Sequence, residues 1–124
     1  MLGGVDEPTL CFRDAAAWER WLAAHHDQPG GVWLKIAKKG SSLVTVTLAD
    51  ALDVALCYGW IDSHRRAGDA EHYRQRYSRR QARSPWSRIN VAKAEALIAA
   101  GRMQPPGLAA LDAARADGRV PTGS

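Results

Sequence analysis

Residues 56–90 read LCYGWIDSHRRAGDAEHYRQRYSRRQARSPWSRIN, and their order sets the fold. A helix ends, the chain reverses, two strands follow, and a second helix starts. The incoming helix is carried by Leu48, Ala51, Leu52, Ala55 and Leu56, which recur at i, i+3, i+4, i+7 and i+8 and form a core-facing stripe. Thr47 is its N-cap, with Asp50 three residues on. Gly59 is the natural residue just past its end, because a glycine takes positive φ at little cost. Beyond it, 61–66 and 72–77 read as antiparallel strands around Ala67-Gly68-Asp69-Ala70-Glu71. Ser84-Pro85 then reads as a helix start, Ser as N-cap and Pro at the first helical position. That helix is expected to run to about Ala100, with Gly101 as its stop.

The hairpin register is expected to place Arg66 opposite His72, His64 opposite Arg74 and Asp62 opposite Arg76. One face then carries all six, and Asp62 is the partner of Arg76. The side-chain period of two makes this sensitive, since a slip of one residue turns the face inward.

On the N-terminal side, Asp14 is a good N-cap before Ala15-Ala16-Ala17. Trp18, Trp21, Leu22 and His25 share one helical face, and Gln28-Pro29-Gly30-Gly31 ends that helix. Val32 to Lys38 alternates as a half-buried strand. Leu43 to Val46 is β-prone but short, and Val5, Leu10 and Phe12 suggest a short extended lead-in. On the C-terminal side, Pro105-Pro106 interrupts, and 108–116 reads as a last short helix stopped by Gly118. These elements predict an α+β domain over residues 1–119, about four helices packed on a small, mostly antiparallel sheet, with a loose tail at 120–124.

The chain has 124 residues, enough for one domain and one real core. With 46% apolar and 24% charged residues it has the composition of a globular protein. No run approaches the roughly 20 apolar residues of a membrane helix, and no secretory leader pattern opens it. Cys11 and Cys57 lie in unlike contexts and read as two reduced thiols, so a cytoplasmic location is expected. The net charge is +4, yet 65–88 holds eight Arg against Asp69 and Glu71. The basicity is therefore local, and it is mostly arginine, which grips carboxylate or phosphate with two donors.

Several stretches resemble the YdeI/OmpD-associated (OmdA-like, bacteriocin-protection) family. They are Trp18-Glu19-Arg20-Trp21-Leu22, Val32-Trp33-Leu34 with Lys38-Lys39, and Ala55-Leu56-Cys57-Tyr58-Gly59-Trp60-Ile61-Asp62. Ser84-Pro85-Trp86-Ser87-Arg88-Ile89-Asn90, Gly101-Arg102-Met103 and Gly107-Leu108 continue the likeness, which covers about residues 12–119. Arg79 stands where the family pattern has a proline, and longer members continue into a Lys/Arg-rich segment. The resemblance implies a stress or antimicrobial-resistance setting without a defined reaction.

The polar and aromatic residues of the same stretch predict a ligand pocket. Trp60, Tyr77 and Trp86 are its walls, Arg66, Arg76 and Arg80 its anion donors, and Asp62, Ser84, Ser87 and Asn90 its orienting groups. The bland reading makes Trp60 a core plug and Ser84 the cap of its own helix. The expected partner is a small anionic or aromatic ligand. An enzyme using Asp62, His64 and Tyr77 as acid–base groups is an alternative, as is a protein-interaction module with Trp hot spots. Nucleic acid is the weaker reading, because the whole chain is only +4 and carries no recognition motif. No cofactor or metal is expected. His25 and His26 are adjacent rather than i, i+4, and no phosphate-loop, dinucleotide or Gly-x-Ser-x-Gly motif occurs.

Overall fold

The computed structural model describes residues 7–81 and 83–121; Val5 and the tail residues 122–124 lie outside the described residues. The order is β1 (Thr9–Leu10), α1 (Ala15–His25), β2 (Val32–Ala37), α2 (Leu48–Cys57), β3 (Trp60–Ala67), β4 (His72–Arg79), α3 (Arg88–Ala99) and α4 (Pro105–Ala116). Among the described residues, these form four helices and one four-stranded sheet, the α+β class predicted above. The sheet order is β1-β2-β4-β3, parallel between β1 and β2 and antiparallel elsewhere. None of the described helices is long and apolar enough to cross a membrane.

The caps at Asp14 and Thr47 form as read, accepting from Ala17 N at 2.9 Å and Asp50 N at 3.1 Å. Each satisfies one of the N–H groups that a helix start leaves without an intrahelical partner. Gly59 stops α2 with φ +78°, and a Cβ there would meet the Pro106 carbonyl oxygen at 2.9 Å. Gly107 answers it from α4: a Cβ at this position would collide with the carbonyl oxygens of Leu56 and Cys57. The start of α4 therefore lies directly on the end of α2, and Gln104 N donates to Cys57 O at 3.0 Å. The β-prone stretch at 43–46 stays outside the sheet, tied down by Val46 N to Phe12 O and by Ala37 N to Thr45 Oγ1.

Three expectations are corrected. Pro105 and Pro106 do not interrupt but open the last helix, filling its first turn, where the missing N–H groups need no intrahelical partner. The third helix begins at Arg88 rather than at Ser84-Pro85, and Ser87 is its cap, accepting from Asn90 N at 3.1 Å. Ser84 is occupied elsewhere. Its N–H donates to Gln81 O and its carbonyl accepts from Arg119 Nη1 at 2.7 Å, while Trp86 N donates to Arg119 O. These bonds hold the Ser84–Trp86 stretch against the chain beyond α4 instead of letting it wind. The hairpin register also differs. Asp62 faces Tyr77, Arg66 faces Arg74 and Ala67 faces Tyr73, with an irregularity between Asp62 and Arg65. That bulge takes the Ser63 and His64 carbonyls out of the ladder, and the buried side chain of Gln75 donates to them at 3.4 and 3.1 Å. A bulge adds a residue to one strand and re-aims the side chains beyond it. Asp62 consequently leaves the face of Arg66, Arg74 and Arg76 and turns toward the helices with Tyr77.

The core lies between the helices and that second face. Val32, Leu34, Ile36 and Tyr77 from the sheet meet Trp18 and Leu22 of α1, Val54 and Ala55 of α2, Leu97 of α3 and Leu111 of α4. Trp18, Trp21, Trp60 and Tyr77 form an aromatic cluster with ring centroids 5.6–6.5 Å apart. The two fully buried indoles are satisfied, Trp18 Nε1 donating to Ala51 O and Trp60 Nε1 to His26 O at 2.8 Å. Buried aromatic pairs of this kind contribute about 0.5–1.5 kcal/mol each beyond the area they bury.

Candidate functional site

The ten residues proposed from the sequence divide among four places. Trp60 and Tyr77 are fully buried in the core. Ser87 and Asn90 belong to the α3 cap. Arg66 and Arg76 lie on the far face of the sheet. Asp62, Arg80, Ser84 and Trp86 remain near the ends of β3 and β4, where the first turn of the hairpin unit meets the chain leaving α4.

Arg76 is not the partner of Asp62. Its Nε and Nη2 donate to both oxygens of Glu7 at 2.6 and 2.7 Å, and Gly31 N adds a third bond to the same carboxylate. The hydrogen bonds from Arg76 hold the Glu7 carboxyl down at about 2 against the opposing effect of burial. Nothing near β1 announces this pair in the sequence, because Glu7 and Arg76 lie 69 residues apart. The acid–base trio is not assembled either. Tyr77 is sealed in the core, with burial raising its pKa and the Asp62 charge adding to the rise, while His64 sits exposed on the bulge. Cys57 is buried, and desolvation pushes its thiol up to about 11, as befits a core residue rather than a nucleophile. Among the described residues, no group of three or more His, Cys, Asp or Glu is placed to hold a metal ion.

What the structure does bring together is a small cleft built on Trp86. Arg80 follows β4 directly, its N–H fixed by Gly59 O at 3.0 Å, and its guanidinium carbon lies 3.7 Å from the centre of the Trp86 ring. Arg119 arrives from the other side. Gly118, at φ +72°, ends α4, and Arg119 N returns to Ala114 O at 2.8 Å, which turns the side chain back under the Ser84–Trp86 stretch. Arg80, Gln81, Trp86, Ala110, Ala113 and Arg119 line a cavity of about 80 Å³ between them. The two alanines of α4 leave the space.

The electrostatics of the cleft are unusual. The Nε atoms of Arg80 and Arg119 are both buried and, among the described residues, neither has a hydrogen-bond partner. Among the described residues Arg80 uses only Nη1, on the Pro85 carbonyl at 3.5 Å, and none of them engages its side-on Nε/Nη2 fork. Arg119 uses Nη1 on Ser84 O and Nη2 on Asp117 at 3.3 Å. Burial pulls the Arg80 pKa down to about 10; Asp62 opposes the drop and Arg119 adds to it. The group stays charged at neutral pH, and among the described residues no carboxylate is hydrogen-bonded to it. No carboxylate lines the cavity among the described residues. Arg119 escapes a reading of the sequence because it follows the Gly118 helix stop, at the last position before the stretch that reads as a tail. The available signal is the Gly118 turn followed by apolar Val120, which is half-buried against the core.

A family model, described as a domain of unknown function (DUF8412), matches residues 10–110. No curated protein and no solved structure gives a significant match.

Proposed function

We propose that this chain, which belongs to the DUF8412 family, binds a small anion through one carboxylate or phosphate group held between Arg80 and Arg119 on the face of Trp86. One arrangement supports this reading: two guanidinium groups, whose buried Nε donors have no partner among the described residues, share a cavity that no described carboxylate lines. A buried donor left without a partner costs about 1–3 kcal/mol, more when it is charged. An anion in the cleft recovers that cost and separates the two like charges. The volume of about 80 Å³ suits a single anionic group. It is far below the roughly 300–1,000 Å³ that encloses a drug-sized ligand, so the body of any larger ligand lies outside. The resemblance to the YdeI/OmpD-associated proteins would give such a binder a stress or resistance setting, in which it acts by sequestration.

Calorimetric titration with phosphate, acetate and benzoate tests it. Saturable binding is expected, weakened about 10- to 100-fold in Arg80→Ala and in Arg119→Ala, the range for losing a charge-assisted hydrogen bond. Arg80→Lys keeps the charge but loses the fork, and should bind weakly as well. Equal affinity in wild type and all three variants would overturn the proposal. A new product after incubation with the tightest ligand would move the protein from binder to enzyme.

A further inference from the structure

The other face of the sheet holds a second arrangement of cations, independent of the Arg80–Arg119 cleft. In the observed register Lys35 of β2 stands opposite Arg74 of β4, and Arg74 stands opposite Arg66 of β3. Three cations therefore cross three strands in a straight row. At about 4.8 Å between strands the row spans roughly 10 Å. Like charges directly opposite each other oppose strand pairing, and here two such contacts lie side by side.

Counter-charge is scarce along the row. Lys35 reaches Asp69 at 3.3 Å, but Asp69 also accepts from His72 Nδ1 and from two backbone N–H groups. Among the described residues, Arg66 and Arg74 have no carboxylate partner. Both instead lie over the ring of Trp33, at 5.0 and 5.6 Å from its centre. Trp33 is buried yet lies outside the core cluster of the described residues, so a large aromatic ring on the open face is roofed by two guanidinium groups. A groove of about 340 Å³, lined by Thr9, Lys35, Ala67, Gly68, Asp69 and Arg74, runs beside the row.

We propose that this face binds single-stranded nucleic acid, with Lys35, Arg66 and Arg74 meeting phosphates and the guanidinium–indole stack receiving a base. Single-strand binders combine cationic tracks with surfaces on which bases stack; here that surface is the outer side of the two guanidinium groups that cover Trp33. The stack is what favours nucleic acid over an acidic peptide, which would use the charges but not the platform. The modest net charge of the chain does not count against it, since the charge is concentrated where the register gathers it.

The test is fluorescence anisotropy of a labelled oligothymidylate with the full chain across a salt series. Three phosphate contacts on a single strand predict an affinity that falls about 20-fold between about 50 and about 200 mM salt. In Arg66→Gln/Arg74→Gln only Lys35 remains, and the fall should shrink to about 3-fold, with weaker binding at low salt. Arg80→Ala should bind the oligonucleotide as wild type does, which separates this face from the small-anion cleft. The salt dependence of the wild type stands even where the double variant folds poorly. Salt-independent binding, absence of binding at low salt, or an unchanged double variant would overturn the proposal. So would poly-glutamate binding without oligothymidylate binding, which would make the face a protein-docking surface.

Discussion

The two faces of the sheet are made by the same strands and solve opposite problems. Toward the helices, alternate residues of β2, β3 and β4 present Val32, Leu34, Ile36, Trp60 and Tyr77, and water is excluded. Gln75, admitted there, serves the backbone of the bulge. On the far face the intervening residues are Trp33, Lys35, Arg66, His72, Arg74 and Arg76. Each polar group there is matched by a local partner: Arg76 by Glu7, Lys35 and His72 by Asp69, Arg66 and Arg74 by an indole ring. Stability is therefore concentrated on one face, while the other holds charges whose partners can be exchanged for those of a ligand.

Truncating one tryptophan on each face exposes the contrast most strongly. Trp60→Ala removes a fully buried ring and the bond from its Nε1 to His26 O, and should cost about 3–5 kcal/mol of unfolding free energy. Trp33→Ala should cost less, about 2 kcal/mol, because the flexible stems of Arg66 and Arg74 can settle onto the vacated surface and the cost of a truncation depends on such collapse. Urea melts of the two variants measure the gap. Equal losses would mean that the far face is packed as tightly as the core.

The pair between Glu7 and Arg76 gives the next largest effect and carries a pH signature. The folded-state pKa of Glu7, about 2, lies below its unfolded value near 4.5. Its contribution is therefore complete above about pH 4.5 and is lost as the pH falls toward about 2. Glu7→Gln should lower stability at neutral pH by about 1–2 kcal/mol, a discounted figure because about a quarter of each side chain remains exposed. Wild type and variant should converge in acid. Parallel curves across that window would show that the pair adds nothing through its charge.

The fold was legible in the sequence where the physical signal is local. The caps at Asp14 and Thr47, the stripe through α2, the Gly59 stop and the existence of the hairpin each rest on a few neighbouring residues. The candidate site was legible only in part, because its geometry depends on distant contacts. Arg80 and Trp86 were readable from the Arg-rich stretch, but Arg119 reaches them only after α4 closes on Gly118. The hairpin face failed for a related reason. Alternation predicts a face only while the register holds, and the bulge that moves Asp62 beside Tyr77 is stabilised by Gln75, a residue with no pattern of its own. Glu7 was invisible as the partner of Arg76 because it lies outside any regular element, just ahead of a strand only two residues long.

The smallest effect tests whether the covered face is as nonpolar in function as it is in composition. The Tyr77 hydroxyl is buried without a partner among the described residues, although Asp62 stands directly opposite on β3. Burial and the Asp62 charge both favour the neutral phenol, so the group stays protonated at any ordinary pH. Tyr77→Phe keeps the ring, its contact with Trp18 at 5.6 Å and the packing volume, and deletes only the unsatisfied oxygen. It should raise stability by about 1 kcal/mol, the lower end of the cost of a buried unpaired hydroxyl, and leave anion affinity at Arg80 unchanged. A loss of stability instead would mean that the hydroxyl has a partner in solution, with bridging water to Asp62 the nearest candidate. The covered face would then hold a polar site of its own at the point where β3 and β4 approach the Arg80 cleft, and Asp62 would link the core to that cleft.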